Sequence, residues 1–395
     1  MELTIRKGTL QDLVDELKEQ QRRKVDLVVP ARDLWSHNGL VTVRDYDTTL
    51  TDTGVTTKNL YLTPSEVFDT GMVAKLSPKG RPLGRRFVRA LREEGRTDLI
   101  DNLYNGLLHG NKDLGVAGDP RAFFLRTFSA QDDAHTGYAR ALLSNSYRPI
   151  DNWDVLGTIL KGLQTAGFTG HVVRQADLTD DRMYVRIGVP QVTALAPTLL
   201  RNYVSPYSRN RGADNPVVEA GLVITNSETG GGAFTITPEL VIQICTNGMT
   251  IKKDMIRKPH LGAKLDEGLL KVSDETRRRN LALVESQVSD AVETFLDPAY
   301  LERVVAAIED QSEDPVDNVE KAIETIVSRP AFTEDDMAGL MSMFFDGGDR
   351  TRGGLANAIT AYSQSPELDS DRAYEMDADA LEAAGITGVT GLVRA

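Results

Sequence analysis

A single cysteine, Cys245, is present in a chain of 395 residues, and only 6% of the side chains are aromatic. One thiol cannot form an internal disulfide, so the sequence predicts a protein of a reducing, intracellular compartment. No run of 18 apolar residues occurs, which excludes a helix that could span a bilayer. The charged, amphipathic start is unlike a secretory signal peptide. The sequence therefore predicts a cytoplasmic protein with no membrane contact.

The usual nucleotide-binding, metalloprotease, zinc and serine-hydrolase signatures are also missing. The five histidines lie too far apart in the chain to suggest a local metal site. Cys245 follows an apolar VIQI run, which favours a buried, inert thiol over a nucleophile. The prediction is a protein without metal, cofactor or catalytic residues.

Charge is distributed unevenly along the chain. The net charge is −13, yet residues 280–395 hold 24 acidic and 7 basic side chains, which leaves 34 acidic and 38 basic ones in residues 1–279. Bases concentrate between Lys79 and Arg96 and between Lys252 and Arg279. Each cluster alone is typical of a solvated helix face, but two clusters beside an acidic segment also suit an anionic partner.

Two segments, residues 144–154 and 202–211, combine tyrosine with arginine. This pattern suits both the binding of single-stranded nucleic acid and a protein interface. On the first interpretation, bases stack on tyrosine rings and phosphates meet the cations. The predicted nucleic-acid-binding side chains are Arg85, Arg86, Arg89, Tyr147, Arg148, Tyr203, Tyr207, Arg209, Arg211, Lys252, Lys253, Arg257, Lys258 and His260.

Three consecutive glycines, Gly230, Gly231 and Gly232, connect two apolar segments, and Asn247 stands in a later Asn-Gly pair. Both motifs are first of all typical of turns, because glycine adopts positive φ without strain. Alternatively, the glycine amides come close to a phosphate or a neighbouring backbone, and Asn247 faces a ligand.

Hydrophobic periodicity predicts an α+β fold with a central antiparallel sheet packed with helices, followed by an acidic, mostly helical C-terminal region. Residues 151–167 have helical spacing, and the segments after them alternate as β-strands do. The predicted divisions are residues 1–62 (a helix and short strands), 63–272 (the α+β core) and 273–395 (the acidic helices).

Four segments resemble, in order, a family of bacteriophage and mobile-element proteins catalogued as domain of unknown function number nine-three-two. They are RALLSNSYRPIDNWDVL, ITNSETGGGAFTITPELVIQICTNGM, RKPHLGAKLDEG and GGLANAITAYSQ. One departure is GGLANA at 353–358, where the family often has a Trp-Gly pair. The resemblance implies a phage-encoded protein that acts in the bacterial host cytoplasm, without an established activity.

The leading hypothesis is a non-enzymatic, oligomeric protein that binds single-stranded nucleic acid, such as an annealing or recombination factor. The acidic C-terminus would then limit non-specific binding or recruit a basic protein. A second hypothesis is a phage host-interaction or assembly protein that binds a protein partner. A third, weaker one is an enzyme with a site built from Asp151, Glu228, Asn247 and His260.

Overall fold

A computed structural model describes residues 4–51, 54–76, 85–145, 147, 149–168, 173–245, 248–258 and 274–392. They form two β-sheets and twelve α-helices, so the predicted α+β fold class is confirmed. The strands are β1 (Ile5–Gly8), β2 (Lys24–Pro30), β3 (Leu34–His37), β4 (Leu40–Thr51), β5 (Gly54–Pro64), β6 (Ala122–Ser129), β7 (Thr136–Ser144), β8 (Val173–Leu178), β9 (Met183–Leu195), β10 (Val217–Asn226), β11 (Phe234–Ile242), β12 (Gly248–Thr250) and β13 (Ile256–Lys258).

The helices are α1 (Leu10–Arg23), α2 (Glu66–Leu76), α3 (Arg85–Glu93), α4 (Thr97–His109), α5 (Asn152–Thr165), α6 (Pro197–Leu200), α7 (Asp274–Phe295), α8 (Pro298–Ser312), α9 (Val319–Val327), α10 (Met337–Gly347), α11 (Arg352–Tyr362) and α12 (Ser370–Ala383). The longest has 22 residues, and none of these described helices combines the length and apolar character that a bilayer crossing needs.

Six strands form the first sheet, here called the N-terminal sheet, in the order β2-β6-β7-β5-β4-β3. Strand β5 runs parallel to β7, and the other neighbouring pairs are antiparallel. An Asn-Gly pair in the sequence is typical of a tight turn, and Asn38-Gly39 forms such a turn between β3 and β4, with positive φ at both residues. Helices α2, α3 and α4 close an apolar core against this sheet, with Phe68 and Tyr104 among its fully buried side chains.

The second, antiparallel sheet, here called the central sheet, has the order β1-β8-β9-β10-β11-β12, with β13 also paired to β11. Helices α1 and α5 pack on it through apolar residues at helical spacing, such as Leu13 and Leu17 of α1 and Ile159 and Leu163 of α5. The predicted arrangement of a helix against an antiparallel sheet of at least four strands is therefore confirmed.

Helices α7 to α12 share one apolar core with the central sheet. Buried residues of this core extend along the chain from Leu13 to Val389. Helix α7 crosses α5 so closely that a Cβ atom at Gly162 would lie 2.6 Å from the Val288 side chain. The residues after 273 thus pack on the sheet rather than standing apart from it.

The Asp-Pro pairs at 297–298 and 314–315 each predict a helix N-cap from the sequence, and the two predictions have different outcomes. Asp297 caps α8 as predicted, because its carboxylate accepts a hydrogen bond from the Ala299 amide at 2.6 Å. The cap predicted at Asp314-Pro315 is wrong: Pro315 forms an isolated bridge with Thr351, and the next helix begins only after Asn318. The chain at Pro315 is held extended by this pairing, so helix formation is delayed.

A buried ion network joins the two apolar cores, and Arg126 of β6 is at its centre. Arg126 is only 1% exposed, and its Nη2 donates to Asp151 Oδ1 at 2.7 Å, while Nη1 donates to the Glu228 carbonyl at 3.0 Å. Asp26 pairs with its Nε at 3.2 Å, and Lys24 Nζ lies 2.7 Å from Asp151 Oδ2. Burial acts to raise the pKa of Asp151, but the two cations outweigh burial and lower that pKa to about 2.

Glu228 connects this network to the start of α5. One carboxylate oxygen pairs with Arg140 of β7, and the other accepts a hydrogen bond from the Asn152 amide at 2.9 Å. Burial favours a raised pKa for Glu228, yet Arg140 and Arg126 hold it below its ordinary value. Glu228 therefore satisfies the helix N-terminus that the neighbouring Asp151, occupied by its own ion pairs, leaves uncapped.

We expect Glu228→Gln to lower the free energy of unfolding by about 3–5 kcal/mol, because two buried guanidinium groups lose a shared counter-charge. Urea denaturation measures the loss. The matched control is Glu19→Gln, which removes a partner of the exposed Arg22 and should have a much smaller effect. Equal losses for the two variants would contradict the assignment of this network as the link between the cores.

Candidate nucleic-acid interface

The described part of the first predicted basic cluster includes α3, and its described arginine side chains are paired within the protein. Arg89 Nε is 2.9 Å from Glu93 Oε1, and Arg92 Nη2 donates to Asp69 Oδ1 at 2.8 Å. The buried Tyr104 hydroxyl donates to the same Asp69 oxygen at 2.8 Å. These arginines have carboxylate partners already, so the described part of this cluster offers less uncompensated positive charge than the sequence suggests.

Two of the three predicted base-stacking tyrosines are inside the protein, which corrects the prediction. Tyr203 is 1% exposed, and its ring packs 3.4 Å from a Cβ position at Gly347 in α10. Tyr147 is buried in a small apolar cluster with Leu143. In a chain with few aromatics, these rings fill the core, and burial raises the pKa of Tyr147 above its ordinary value.

The 201–211 loop folds back onto the C-terminal helices. The Val204 amide donates to the Gly347 carbonyl at 2.9 Å, and the Tyr207 hydroxyl donates to the Ala361 carbonyl at 2.9 Å near the end of α11. The Tyr207 ring remains half exposed. Arg209 and Arg211 are exposed, and no carboxylate among the described residues pairs with either guanidinium.

The space beside the glycine turn at residues 230–232 is occupied by the Asp181 carboxylate. A Cβ atom at Gly231 would lie 2.0 Å from Asp181 Oδ2, and the Gly231 amide donates to the Ser227 hydroxyl at 3.0 Å. Gly230 has φ +92°, and a Cβ atom at Gly232 would come within 3.3 Å of Arg182. The close backbone approach is thus real, but it is made to Asp181, whose negative charge opposes a phosphate at this position.

Several predicted site residues lie outside the described residues. They are Arg148, Asn247 and His260. Arg85 and Arg86 lie in α3, but their side chains are not described.

The second basic cluster contains three described cations without acidic partners, although Arg278 and Arg279 at its end both pair with Glu275. Lys252 and Lys253 lie in a 3₁₀ turn, Lys252–Asp254, and Arg257 lies in β13, opposite Thr235 of β11. All three side chains are exposed, and no described carboxylate pairs with them. We call these three residues the basic surface.

A buried carboxylate holds the basic surface in place. Asp254, the last residue of the 3₁₀ turn, accepts hydrogen bonds from the Tyr300 hydroxyl at 2.8 Å and from the Gly391 amide at 2.9 Å. Lys258 Nζ donates to the Asn280 carbonyl at 3.2 Å, and burial lowers the pKa of this lysine. Lys258 therefore ties β13 to α7 rather than facing solvent freely.

A cavity of about 530 Å³ opens beside the basic surface, between β11, the 3₁₀ turn, the segment after α9 and helix α12. Its apolar lining includes Tyr374, Met255, Pro330 and Ala378, and Lys252 contributes a cation. We call it the α12 cavity. No local sequence pattern indicates this cavity, because its lining comes from four segments that are distant in the chain, each without a motif.

The charged groups of the α12 cavity are mostly compensated. Arg329 Nη2 lies 2.7 Å from Asp379 Oδ1 and 3.7 Å from Glu382. Glu375 lies 3.6 Å from Arg182, which is outside the cavity. Lys252 is the lining cation for which no described carboxylate partner exists.

Helix α12 is anchored to the central sheet by Asp377, a fully buried carboxylate. Arg186 Nη2 of β9 lies 2.9 Å from Asp377 Oδ2, and the Ser363 hydroxyl donates to the other oxygen. Arg186 also pairs with Glu239 of β11. Burial raises the pKa of Asp377 to about 6, although Arg186 and Ser363 act in the opposite direction.

The residues proposed for an enzyme site have other roles where they are described. Asp151 and Glu228 belong to the buried ion network, and the space beside them is only about 10 Å³. In the described part of the chain, no three histidine, cysteine or acidic side chains form a group that could hold a metal ion. Neither observation identifies a substrate-binding site at Asp151 or Glu228.

Comparisons with family models, curated proteins and solved structures found no match to this chain. The resemblance to the mobile-element family therefore stays a prediction from the sequence segments quoted above.

We expect Asp377→Asn to remove a pH dependence of stability that the wild-type protein has between about pH 4 and pH 6. The native state binds the Asp377 proton more tightly than the unfolded state, so wild-type stability from this group is full below about pH 4 and falls as pH rises through about 6. The difference in unfolding free energy between the two proteins should change by about 3 kcal/mol across this window. Urea denaturation at a series of pH values measures it, and a constant difference would contradict the shifted pKa.

Proposed function

We propose that this protein is a phage-encoded, non-enzymatic protein that binds single-stranded nucleic acid at the basic surface of Lys252, Lys253 and Arg257. The observation that supports this most directly is the absence of described carboxylate partners for three neighbouring exposed cations. Several arginines of the first basic cluster, such as Arg89 and Arg92, are instead paired internally. Cations without partners bind phosphates and release condensed counterions, which drives nucleic-acid binding.

The net charge of −13 does not prevent such binding. At about 0.1 M salt the Debye length is about 10 Å, so carboxylates farther away on the surface are largely screened. The local field at the basic surface then governs contact with a phosphate, while the remaining negative charge disfavours non-specific binding elsewhere.

A flexible strand fits this surface better than a duplex does. Bases of single-stranded nucleic acid are free to enter a concave surface, whereas duplex bases are stacked and paired. The α12 cavity adjoins the cations through Lys252. The proposed role in DNA metabolism, such as strand annealing or recombination, rests on the family resemblance and on this preference for single strands.

A protein partner is the second candidate, and a separate surface favours it. Phe345 and Tyr207 are each half exposed where the 201–211 loop meets the C-terminal helices, and Arg350 lies over the Phe345 ring. Exposed aromatic rings with arginine are enriched at the centres of protein interfaces. This surface is distinct from the basic surface, so the two candidates can be tested by separate substitutions.

We expect the triple variant Lys252→Ala, Lys253→Ala, Arg257→Ala to lose most single-strand affinity at low salt. Fluorescence anisotropy with a labelled single-stranded oligonucleotide, repeated from about 50 mM to about 200 mM salt, gives the salt dependence. Loss of three phosphate contacts should reduce the slope of log affinity against log salt by about 2.

The matched control is a triple alanine variant at Lys18, Lys58 and Lys321, which are exposed lysines outside the basic surface. It changes the net charge equally, and it should retain the wild-type slope. Equal losses in the two triple variants, or no binding by the wild-type chain at low salt, would overturn the proposed function.

A further inference from the structure

We propose that the α12 cavity binds one unstacked nucleobase that bears an exocyclic amino group, as cytosine and adenine do. This inference rests on the proposed function for the strand that delivers the base. It adds a base preference to a surface whose phosphate contacts alone would not distinguish sequences.

The size and lining of the cavity suit a planar heterocycle. Its volume of about 530 Å³ is within the range of small-ligand sites, about 300–1,000 Å³. Tyr374 offers an aromatic ring, and Met255, Pro330 and Ala378 offer apolar contact. Aromatic and apolar side chains stabilise splayed bases by stacking, at about 1–3 kcal/mol per base.

The Tyr374 ring is held in position by packing against a second aromatic ring. Its ring packs against the Tyr184 ring, with 5.0 Å between centroids, and Tyr184 in turn donates a hydrogen bond to Asp371 of α12. The Tyr374 ring is therefore positioned by the central sheet before any ligand arrives, so that its ordering does not reduce the binding free energy.

Two carboxylates of the cavity have hydrogen-bonding capacity to spare. The Glu375 and Glu382 side chains are 50% and 59% exposed, and their nearest cations, at 3.6 Å and 3.7 Å, are beyond ordinary hydrogen-bond distance. Carboxylates accept hydrogen bonds from amino groups such as cytosine N4. They repel phosphates, and they also repel the O4 carbonyl that thymine presents in place of that amino group.

The cations and the carboxylates thus have different roles in binding the strand. Lys252, at the edge of the cavity, together with Lys253 and Arg257, attracts the phosphates, while Glu375 and Glu382 select the group that enters. A cavity built for a phosphate would instead have cations in excess of carboxylates among its lining residues.

The test compares oligodeoxycytidine with oligodeoxythymidine of equal length, about 15 nucleotides, on the full chain by fluorescence anisotropy. Both are pyrimidine strands with weak self-stacking. We expect oligodeoxycytidine to bind at least about fivefold more tightly, since one good amino–carboxylate contact contributes about 1 kcal/mol or more of discrimination.

The double variant Glu375→Ala, Glu382→Ala should abolish this preference, because the cytidine strand loses its acceptors and the thymidine strand is no longer repelled. Its matched control is Glu320→Ala, Glu324→Ala, which removes two exposed carboxylates of α9 and should leave the preference intact. All four side chains are on the surface, so the variants should fold, and thermal unfolding verifies it.

The outcomes separate this inference from the proposed function. If both strands bind the wild-type chain equally and the basic-surface variant weakens both, the base site is wrong and the function stands. If neither strand binds, the proposed function is wrong. Free cytidine and thymidine, titrated separately and followed by NMR, then decide the cavity alone: absence of cytidine binding, or binding that the Glu375/Glu382 variant retains, overturns it.

Discussion

The ion network around Arg126 and Glu228 is the interaction on which the rest of this architecture depends. Each sheet has its own apolar core, and the buried charges of this network lie between the two cores. Apolar contacts tolerate small shifts, whereas paired buried charges require a defined distance and direction. A few buried polar atoms therefore constrain the relative placement of the two sheets in distance and direction.

Buried carboxylates have the same positioning role farther along the chain. Asp254 fixes the turn that presents the two lysines, and Asp377 fixes the helix that closes the neighbouring cavity. Both acids are saturated by partners from other elements, so they order the surface without taking part in it. A chain rich in acidic residues thus uses some of them as internal hydrogen-bond acceptors, which makes net charge a poor guide to its surface.

Local signals in the sequence were sufficient where short-range geometry decides the structure. The spacing of Val155, Ile159 and Leu163 identifies α5, and the Asn38-Gly39 pair identifies the turn between β3 and β4. Strands β6 and β7 were not predicted, because their apolar runs lie between helical segments. They pair with each other across a short connection, but their other partners, β2 and β5, are distant in the chain.

The candidate site was predictable only in part. Lys252, Lys253 and Arg257 are neighbours in the chain, so their clustering is visible in the sequence. Burial of Tyr203 depends on packing against a helix more than 140 residues later, and no local pattern distinguishes it from the half-exposed Tyr207. The cavity beside the cations exists only after residues near 255, 330 and 375 have come together.

The shared core of the central sheet and helices α7 to α12 also bears on how charge is organised in this protein. A separate acidic tail can be removed by proteolysis or splicing, and the rest of the protein then has a different net charge. Here the acidic helices cover the apolar face of the sheet that holds the basic surface, so cutting the chain near residue 279 would expose that face to water. The balance between the two charges is consequently a permanent property of the folded molecule, adjustable by substitution or modification of single residues but not by removing a segment.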